Sequence, residues 1–377
     1  MQLFCGKQPE SIGMKTYPCY FSWLAVVLLV ATGLSYVGCD RSSPTETVYP
    51  TGRSLSDYAW TIDSISYQDS IRVPLELTGM WGSSSSDIWG VAGDAGSPDD
   101  ALWHRDSISW SRATKNTIFT DYTGNRFAYD IWGTASNNVW AVGRIINSGV
   151  LSAMIIHYNG SSWSDVTPAT VKNIHGVLYT IHGVAANDIW AGGYEYAVHY
   201  NGATWSTFKV ADSMSVASIT GSGSSVYLTM SSNWGKNIIQ LYKLSGTQFE
   251  LIDQTPDYPS KFCYHLWLHG NQLLSMGYNI YSNTIRSDGT IDTSAWEEVY
   301  NTGGRSIVQF QVLSPSDIIA VGSVYLVCQY DGTQWKQFDI RGPNDPGNYL
   351  SSLFALWTNG NDIFVCNYHD GIIYHGK

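Results

Sequence analysis

No stretch of this 377-residue sequence shows a sustained helical spacing of apolar residues, and charged residues make up only 14% of it. The longest apolar run, residues 21–32, is shorter than the roughly 20 residues that cross a bilayer. A phosphate-binding glycine loop, the His and Cys spacing of a metal site and the nucleophile elbow of hydrolases are also lacking. The chain is therefore not a helical bundle, and we expect no metal, no cofactor and no enzymatic activity.

Glycine and aromatic residues are abundant instead, with 36 glycines and 14% aromatics, a composition typical of an all-β domain. The formal net charge is −11, and removal of residues 1–38, which hold Lys7, Glu10 and Lys15, leaves −12. An acidic surface disfavours nucleic acid and electrostatic adhesion to anionic lipid. We expect no nucleic-acid partner.

The N-terminal 38 residues are typical of a secretory leader. Lys15 precedes the apolar run, and small residues follow it up to Gly38. Residues 36–39, YVGC, resemble the lipobox of bacterial lipoproteins, although Tyr36 stands where that family usually has Leu. The resemblance implies a lipoprotein signal peptide over 1–38, lipidation of Cys39 and a location in the bacterial cell envelope. An ordinary cleaved signal with an unmodified Cys39 and an uncleaved anchor are the alternatives.

Residues 39–56 are polar, contain Pro44 and Pro50 and offer little to bury, which is typical of a flexible tether. Three cysteines remain beyond Cys39, namely Cys263, Cys328 and Cys366, each in a strand-like segment. We predict buried thiols there, with one disulfide and a leftover cysteine as the alternative.

A unit of about 45 residues recurs along the rest of the chain, and each unit ends in an aromatic residue. These seven positions, 39 to 53 residues apart, are Trp60, Trp110, Trp163, Trp205, Phe249, Trp296 and Trp335. Four of them follow a turn such as YNGSSW at 158–163. Self-similarity at this period predicts a β-propeller with seven blades, each of four antiparallel strands, over residues 57–377.

The last unit predicts how the ring closes. It has a first, second and third strand but ends before an aromatic fourth strand, whereas residues 57–66 form an orphan strand with Trp60. We expect the N-terminal strand to complete the last blade, which removes an exposed sheet edge. Six blades plus a separate element is the alternative.

Packing and turn formation explain most of the recurring side chains. The seven aromatic residues are expected to fill the wedges between neighbouring blades. Four carboxylates are expected to close the turns between first and second strands by accepting backbone amides: Asp87, Asp188, Asp317 and Asp362. A structural role is also predicted for His104, His157 and His199, which recur on third strands.

The repeat itself resembles those of a known group of proteins. DIWGTASNNVWAVG at 130–143, followed by IIHYNGSSW at 155–163, is similar to repeats of secreted bacterial propellers related to the photosystem II assembly factor family and the bacterial neuraminidase repeat group. It departs from the neuraminidase Asp-box, because Asn or Asp stands directly beside Gly here. The resemblance covers residues 57–377 and implies an envelope propeller that is noncatalytic or without an assigned activity.

Loops between second and third strands and between fourth and first strands vary in length and composition, so we name that end of the ring the variable face. The opposite end, with short repeated turns, is the turn face. Binding residues are expected in variable loops on a rigid scaffold. The candidates are Asp94, Asp99, Asp100, Trp103, Arg144, Tyr194, Glu195, Trp234, Tyr278, Tyr368 and His369.

The sequence therefore predicts a lipid-anchored scaffold that docks an unknown protein or peptide on its variable face and touches the membrane only through its anchor. A glycan-binding or glycan-processing propeller is the alternative, although nothing in the sequence pairs two carboxylates for hydrolysis. A calcium site in the loop of Asp94, Asp99 and Asp100 is a third hypothesis.

Overall fold

A computed structural model describes residues 53–63, 77–93, 102–107, 109–113, 125–172, 174, 176–232, 238–256, 260–342, 351–367 and 371–377. The chain divides into two units, Met1–Thr47 and Val48–Lys377, and every described residue belongs to the second. In that part of the chain, no helix is long and apolar enough to cross a membrane.

The described residues form seven antiparallel sheets of four strands each, which confirms the seven-bladed propeller. Blade 1 has β2 (Leu77–Ser84), β3 (Asp87–Ala92), β4 (Leu102–Asp106) and β5 (Ser109–Arg112). Blade 2 has β6 (Asn125–Ala135), β7 (Asn138–Asn147), β8 (Val150–Tyr158) and β9 (Trp163–Asp165). Blade 3 has β10 (Leu178–Ala185), β11 (Asp188–Gly193), β12 (Tyr196–Tyr200) and β13 (Trp205–Lys209).

The remaining sheets follow the same order. Blade 4 has β14 (Ser215–Ser222), β15 (Ser225–Ser231), β16 (Ile238–Ser245) and β17 (Gln248–Pro256). Blade 5 has β18 (His265–His269), β19 (Gln272–Met276), β20 (Asn279–Thr284) and β21 (Glu297–Asn301). Blade 6 has β22 (Ile307–Ser314), β23 (Asp317–Gly322), β24 (Leu326–Tyr330) and β25 (Trp335–Gln337). Blade 7 has β26 (Leu353–Thr358), β27 (Ile363–Asn367), β28 (Ile373–Gly376) and β1 (Trp60–Asp63).

The N-terminal strand closes the ring, as predicted. β1 pairs antiparallel with β28, with Trp60 opposite Gly376 and Asp63 opposite Ile373. Two backbone hydrogen bonds between Ala59 and Lys377, of 2.9 and 3.2 Å, continue this pairing to the last residue. Arg105 of the first blade then donates a 2.9 Å hydrogen bond to the Asp63 carboxylate, so an ion pair also joins blades 1 and 7.

The tryptophan–glycine pairs of the repeat are explained by packing between blades. A Cβ atom on Gly133 would lie 2.9 Å from the Trp81 ring of the preceding blade, and one on Gly183 would lie 2.4 Å from the Trp132 ring. Only glycine leaves room for these rings, because real side chains do not approach so closely. The innermost strands therefore lock each blade to its neighbour.

The turn of the YNGSSW type also needs its glycine. Gly160, Gly202 and Gly332 have φ of +93°, +90° and +89°, a region that other residues rarely adopt. The Oδ1 atom of Asn159 accepts hydrogen bonds of 3.0 Å from the amides of Ser161 and Ser162, which fixes the turn before Trp163.

The recurring acids and histidines meet across strands. The Nε2 atom of His104 lies 2.8 Å from Asp87, that of His199 lies 2.8 Å from Asp188, and that of His375 lies 2.8 Å from Asp362. In the sixth blade the Asp317 carboxylate instead accepts from Gln329 at 2.9 Å. Each of these four carboxylates thus bonds to a third-strand side chain, and Asp87 also accepts a 2.5 Å hydrogen bond from the turn residue Ser83.

The structure differs from the sequence prediction at the start of the domain. Residues 53–56, assigned to the tether by composition, pack against the ring through a 3₁₀ turn, Leu55–Asp57, in which Leu55 is buried. The Leu55 amide donates a 3.0 Å hydrogen bond to the Gln329 side chain. Cys263, Cys328 and Cys366 are buried thiols, as predicted. The other helical element among the described residues is a single turn, Ala169–Lys172.

Candidate functional site

A cavity of about 300 Å³ lies on the axis of the ring. First strands of six blades line it, from Thr78 in blade 1 to Phe310 in blade 6. The lining is mixed, with the tyrosines Tyr129 and Tyr179 beside Asp130 and two histidines. A propeller offers this position because every innermost strand directs alternate side chains toward the axis.

A β-bulge recurs near the start of the innermost strands and shapes the opening of this cavity. The pairing of first and second strands shifts register at the same place in six blades. The skipped residues, which we call the bulge ring, are Thr78, Tyr129, Tyr179, Ala217, Val308 and Phe354. Bulges turn a side chain away from its regular direction. Because first strands begin at the variable face, the bulge ring surrounds the cavity mouth on that face.

An aromatic and cationic cluster occupies one side of the mouth. The rings of Tyr129 and Tyr179 meet edge to face with centroids 5.5 Å apart. The Arg144 guanidinium lies over Phe127 at 4.6 Å and over Tyr129 at 5.6 Å. Tyr179 is 37% exposed, so part of this surface is open to solvent. Aromatic rings and arginine are the side chains most enriched at protein-binding hot spots.

Asp130 lies just inside the mouth and connects two blades. Its carboxylate accepts hydrogen bonds of 2.9 Å from the amide of Ile131 and from the amide of Ile181 in the next blade. Burial among the innermost strands raises the pKa of Asp130 to about 6, although these hydrogen bonds act in the opposite direction. The residue as a whole keeps partial exposure.

Hydrogen bonds of the same kind, from a first-strand amide to a side chain of the preceding blade, recur around the ring. Ser218 accepts a 3.0 Å hydrogen bond from the Leu266 amide, and Gln309 accepts one of 2.6 Å from the Leu356 amide. Each acceptor belongs to one blade and each amide to the first strand of the following blade. The side chains thereby satisfy amides on the inner edge of the sheets, which have no neighbouring strand. The walls of the cavity are fixed by these bonds before any ligand binds.

Two histidines complete the polar lining. Burial lowers the pKa of His182 to about 4 and that of His265 to about 4. Both imidazoles are therefore neutral at pH 7 and offer one donor and one acceptor each. Asp130 is the lining residue whose charge changes near pH 6. Because the two histidines are neutral at pH 7, the cavity interior is polar but carries little positive charge.

Five of the predicted binding residues lie in the described part of the chain. Arg144 adjoins the cavity mouth through Tyr129. Trp103 is 5% exposed and packs in the core with Trp110 and Phe364, so its ring is not presented at the surface. The carbonyl of Tyr278 accepts a hydrogen bond from Thr302 on the variable face.

Tyr194 and Glu195 hold neighbouring loops of the variable face together. Glu195 has φ of +65°, and its Oε1 atom accepts a 2.8 Å hydrogen bond from the Ser213 amide. Tyr194 forms an isolated bridge with Ser215. The remaining predicted residues lie outside the described part of the chain: Cys39, Asp94, Asp99, Asp100, Trp234, Tyr368 and His369.

The sequence argument missed Tyr129, Tyr179 and Asp130. Tyr129 and Tyr179 stand immediately before the repeat motifs of their blades, and Asp130 is the first residue of its motif, at the position of Thr180 in the next repeat. A β-bulge turns the two tyrosines toward the axis, and the residue pattern does not predict this bulge. The sequence argument expected binding residues in loops, whereas these residues lie on strands. No group of three His, Cys, Asp or Glu side chains that could hold a metal ion occurs among the described residues.

No family model and no curated protein matches this chain. Solved structures do. YCF48 bound to D1 peptide has a TM-score of 0.57 and 13% identity, over 89% of this chain and 98% of that one. The WD40 β-propeller domain of Doa1 has a TM-score of 0.55 and 13% identity, over 85% and 97%. A catalytically inactive virginiamycin B lyase from Staphylococcus aureus with quinupristin has a TM-score of 0.53 and 10% identity, over 84% and 99%.

These likenesses establish the β-propeller fold. They include the photosystem II assembly factor YCF48, so the resemblance seen in the repeats is confirmed at the level of fold. At such low identity the binding sites of the relatives do not transfer residue by residue.

Proposed function

We propose that this protein is a noncatalytic docking module of the cell envelope, which binds a protein or peptide at the cavity mouth on its variable face. The observation that carries the proposal is the cluster at the mouth, in which Tyr129 and Tyr179 lie on rigid innermost strands and Arg144 lies on the adjacent second strand β7. Anchoring aromatic and arginine side chains on a preorganised surface reduces the entropy lost on binding. A structural neighbour supports the proposal of peptide binding, since the structure of YCF48 was solved with a bound peptide.

Lipid anchoring at Cys39 forms the second part of the proposal. The described chain begins at Arg53, whose guanidinium donates a 3.2 Å hydrogen bond to the Asn361 carbonyl in a turn of the last blade. This contact is on the turn face. Thirteen residues separate Cys39 from Arg53, so an extended connection spans about 50 Å at most. The tether therefore joins the ring at its turn face, which is the opposite end from the variable face.

Strand β10 supplies a matched pair of positions for the test. Tyr179, at the variable-face end, is 37% exposed, and Val184, at the turn-face end of the same strand, is 48% exposed. A photoreactive amino acid is introduced at position 179 or at position 184 in the full chain, and cells are irradiated. We expect a crosslinked protein or peptide of defined mass from position 179 and none from position 184.

The variant Arg144→Ala then distinguishes recognition from accidental proximity. We expect it to weaken the crosslink at position 179 without changing the thermal unfolding temperature by more than a few degrees. Equal products from both positions, or adducts that contain glycan and no protein, would overturn the docking proposal. A glycan product would make the carbohydrate hypothesis the better one.

A further inference from the structure

One recurring arrangement fills the wedge between neighbouring blades near the turn face. In blades 1, 2 and 3 a second-strand tryptophan stacks on a third-strand histidine, with ring centroids 4.1, 4.1 and 4.2 Å apart. Each indole then meets aromatic residues of the following blade: Trp89 lies 4.9 Å from Tyr158 and 5.1 Å from Trp163. Trp140 lies 5.3 Å from Tyr200 and 6.0 Å from Trp205.

Strand pairing identifies the same positions in the blades that lack this arrangement. Trp89 is opposite His104 in blade 1, whereas the corresponding pairs are Tyr227 with Lys243, Leu274 with Ser282, and Ile319 with Gln329 in blades 4, 5 and 6. The wedges that follow blades 4, 5 and 6 therefore have neither the indole nor the imidazole found after blades 1, 2 and 3. Removal of such large rings leaves space that the chain must fill from elsewhere or leave open.

The wedge after blade 4 is filled by the loop between the third and fourth strands of blade 5. Residues 285–296 bring Ile285, Ile291 and Trp296 into one cluster with Tyr227. The carbonyl of Gly289 accepts hydrogen bonds from Lys243 at 2.6 Å and from Tyr227 at 3.3 Å. This loop replaces the missing rings.

The wedge after blade 6 is filled by the N-terminal segment. Leu55 and Tyr58 pack with Ile319 in one buried cluster. Gln329 accepts from the Leu55 amide at 3.0 Å and donates to the Arg53 carbonyl at 2.9 Å. Two of the three losses are thus compensated by distant parts of the chain.

The wedge after blade 5 is open among the described residues. A cavity of about 590 Å³ lies there, between Leu274 and Ser282 on one side and Tyr330 and Trp335 on the other. Turn residues such as Gln272 and Thr333 border it, so it opens at the turn face. It is separate from the axial cavity, whose lining residues are different.

The far wall of this cavity is built like the walls that receive an indole. Tyr330 and Trp335 lie 5.5 Å apart with their planes at 36°. Tyr158 and Trp163 lie 5.5 Å apart at 37°. In the wedge before Tyr158 the wall covers the indole of Trp89. In the wedge before Tyr330 the residue at that position is the smaller Leu274, and Tyr300 of blade 5 stacks on Trp335 with ring centroids 5.9 Å apart. The second-strand indole is therefore missing from this wedge, and the cavity remains although Tyr300 covers part of Trp335.

A polar group completes the match. In blade 2 the indole nitrogen of Trp140 donates a 2.9 Å hydrogen bond to the Oδ1 atom of Asn138. The residue at the position of Asn138 in blade 5 is Gln272, whose Oε1 atom borders the cavity and accepts from Ser282 at 3.2 Å. An oxygen acceptor stands where an indole N–H would need one.

From this repeat equivalence we propose that the wedge between blades 5 and 6 is a binding pocket for an indole ring, supplied as a tryptophan side chain by a partner peptide. The ring lies between Leu274 and Tyr330, beside the stacked pair of Tyr300 and Trp335, and its N–H donates to Gln272. Aromatic pairs with offset or tilted geometry add affinity beyond the area that they bury. This site is on the turn face and does not depend on the docking site at the axial mouth.

The test uses N-acetyltryptophanamide as the probe and saturation-transfer NMR on the detergent-solubilised full chain. We expect binding in the millimolar range or tighter, and none of the apolar control N-acetylleucinamide. Leu274→Trp restores the repeat residue and fills the pocket, so we expect at least a tenfold loss of affinity with an unfolding temperature equal to or above that of the wild type. Gln272→Ala is expected to weaken binding about fivefold, the value of one hydrogen bond.

A matched substitution controls for the added ring. Leu251→Trp makes the same exchange at a residue that is 49% exposed on β17, and we expect it to leave probe binding unchanged. Leu274→Phe provides a smaller filling group if the larger one impairs folding. No binding of the probe to the wild type, equal binding to Leu274→Trp, or binding of methyl glucoside in place of the probe would overturn the proposal. None of these results bears on the crosslink at position 179.

Discussion

The indole nitrogen of Trp357, in the last blade, donates a 3.0 Å hydrogen bond to the carbonyl oxygen of Gly82 in the first. A Cβ atom on Gly82 would lie 2.9 Å from the same ring. Trp81 meets Gly133 and Trp132 meets Gly183 in the same way. The same type of tryptophan–glycine contact therefore joins the last blade to the first and the internal blades to one another. Closure of the ring is as well packed as its interior.

Alanine at Gly183 is expected to destabilise the propeller. Its Cβ would lie 2.4 Å from Trp132, and both the ring and the strand are held by neighbours, so we expect a loss of about 1–3 kcal/mol in the free energy of unfolding. Urea denaturation measures it. Gly342→Ala is the control, because a Cβ there meets nothing within 4 Å. Equal midpoints for the two variants would contradict the packing account.

The ion pair between Arg105 and Asp63 is expected to stabilise the closed ring. The two side chains are only 5% and 18% exposed, and Arg105 also lies over Phe364 at 4.7 Å. Removal of one partner from a buried pair leaves the other charge uncompensated, so Arg105→Ala is expected to cost about 3 kcal/mol. A double-mutant cycle with Asp63→Ala isolates the coupling between them.

The control for that cycle is an ion pair at the surface. Lys336 and Asp331 lie 2.7 Å apart with side chains 49% and 28% exposed, and exposed pairs contribute little. Lys336→Ala is therefore expected to leave the urea midpoint nearly unchanged. If Arg105→Ala shifted the urea midpoint no more than Lys336→Ala, the ion pair between Arg105 and Asp63 would not stabilise the closed ring.

The repeat made much of this architecture predictable. A recurring aromatic residue such as Trp163 gives the blade count, and the orphan strand with Trp60 gives the closure, because both follow from local patterns with a fixed period. The contacts of Arg105 with Asp63 and of Leu55 with Gln329 could not be predicted in this way. They join residues 42 and 274 positions apart, and they depend on which blades meet in space.

The candidate site was less predictable than the fold. Arg144 was predictable because it follows the repeat motif in a variable connection, but Tyr179 and Asp130 lie on innermost strands, where the repeat pattern predicts core residues. A register shift of one residue, between Leu178 and Thr180, directs Tyr179 to the mouth. Such a bulge is a property of the strand pair. A single strand sequence does not contain it.

The raised pKa of Asp130 is expected to make stability fall as pH rises. The group keeps its proton to about pH 6 in the folded protein but loses it near its ordinary value of 3.8 when unfolded. Between about pH 4 and 6 this group binds more protons in the folded state than in the unfolded state, so the stability that Asp130 contributes decreases across this window and is constant above it. We expect the difference in unfolding temperature between wild type and Asp130→Asn to change through this window. A difference that stays constant from pH 3.5 to 7.5 would show that Asp130 titrates normally.

His265 is expected to act in the opposite direction over an overlapping range. Burial lowers its pKa from 6.5 to about 4, so the unfolded chain binds the proton first as pH falls. The stability contributed by the neutral imidazole is complete above pH 6.5 and is lost as pH falls toward 4. His265→Gln removes this dependence while keeping a side chain that donates and accepts hydrogen bonds. Thermal unfolding of wild type and variant from pH 7.5 to 4 therefore gives curves that diverge at neutral pH and approach each other in acid. Parallel curves would mean that His265 is protonated as readily in the fold as in the unfolded chain, and the cavity would then carry positive charge below pH 6.5.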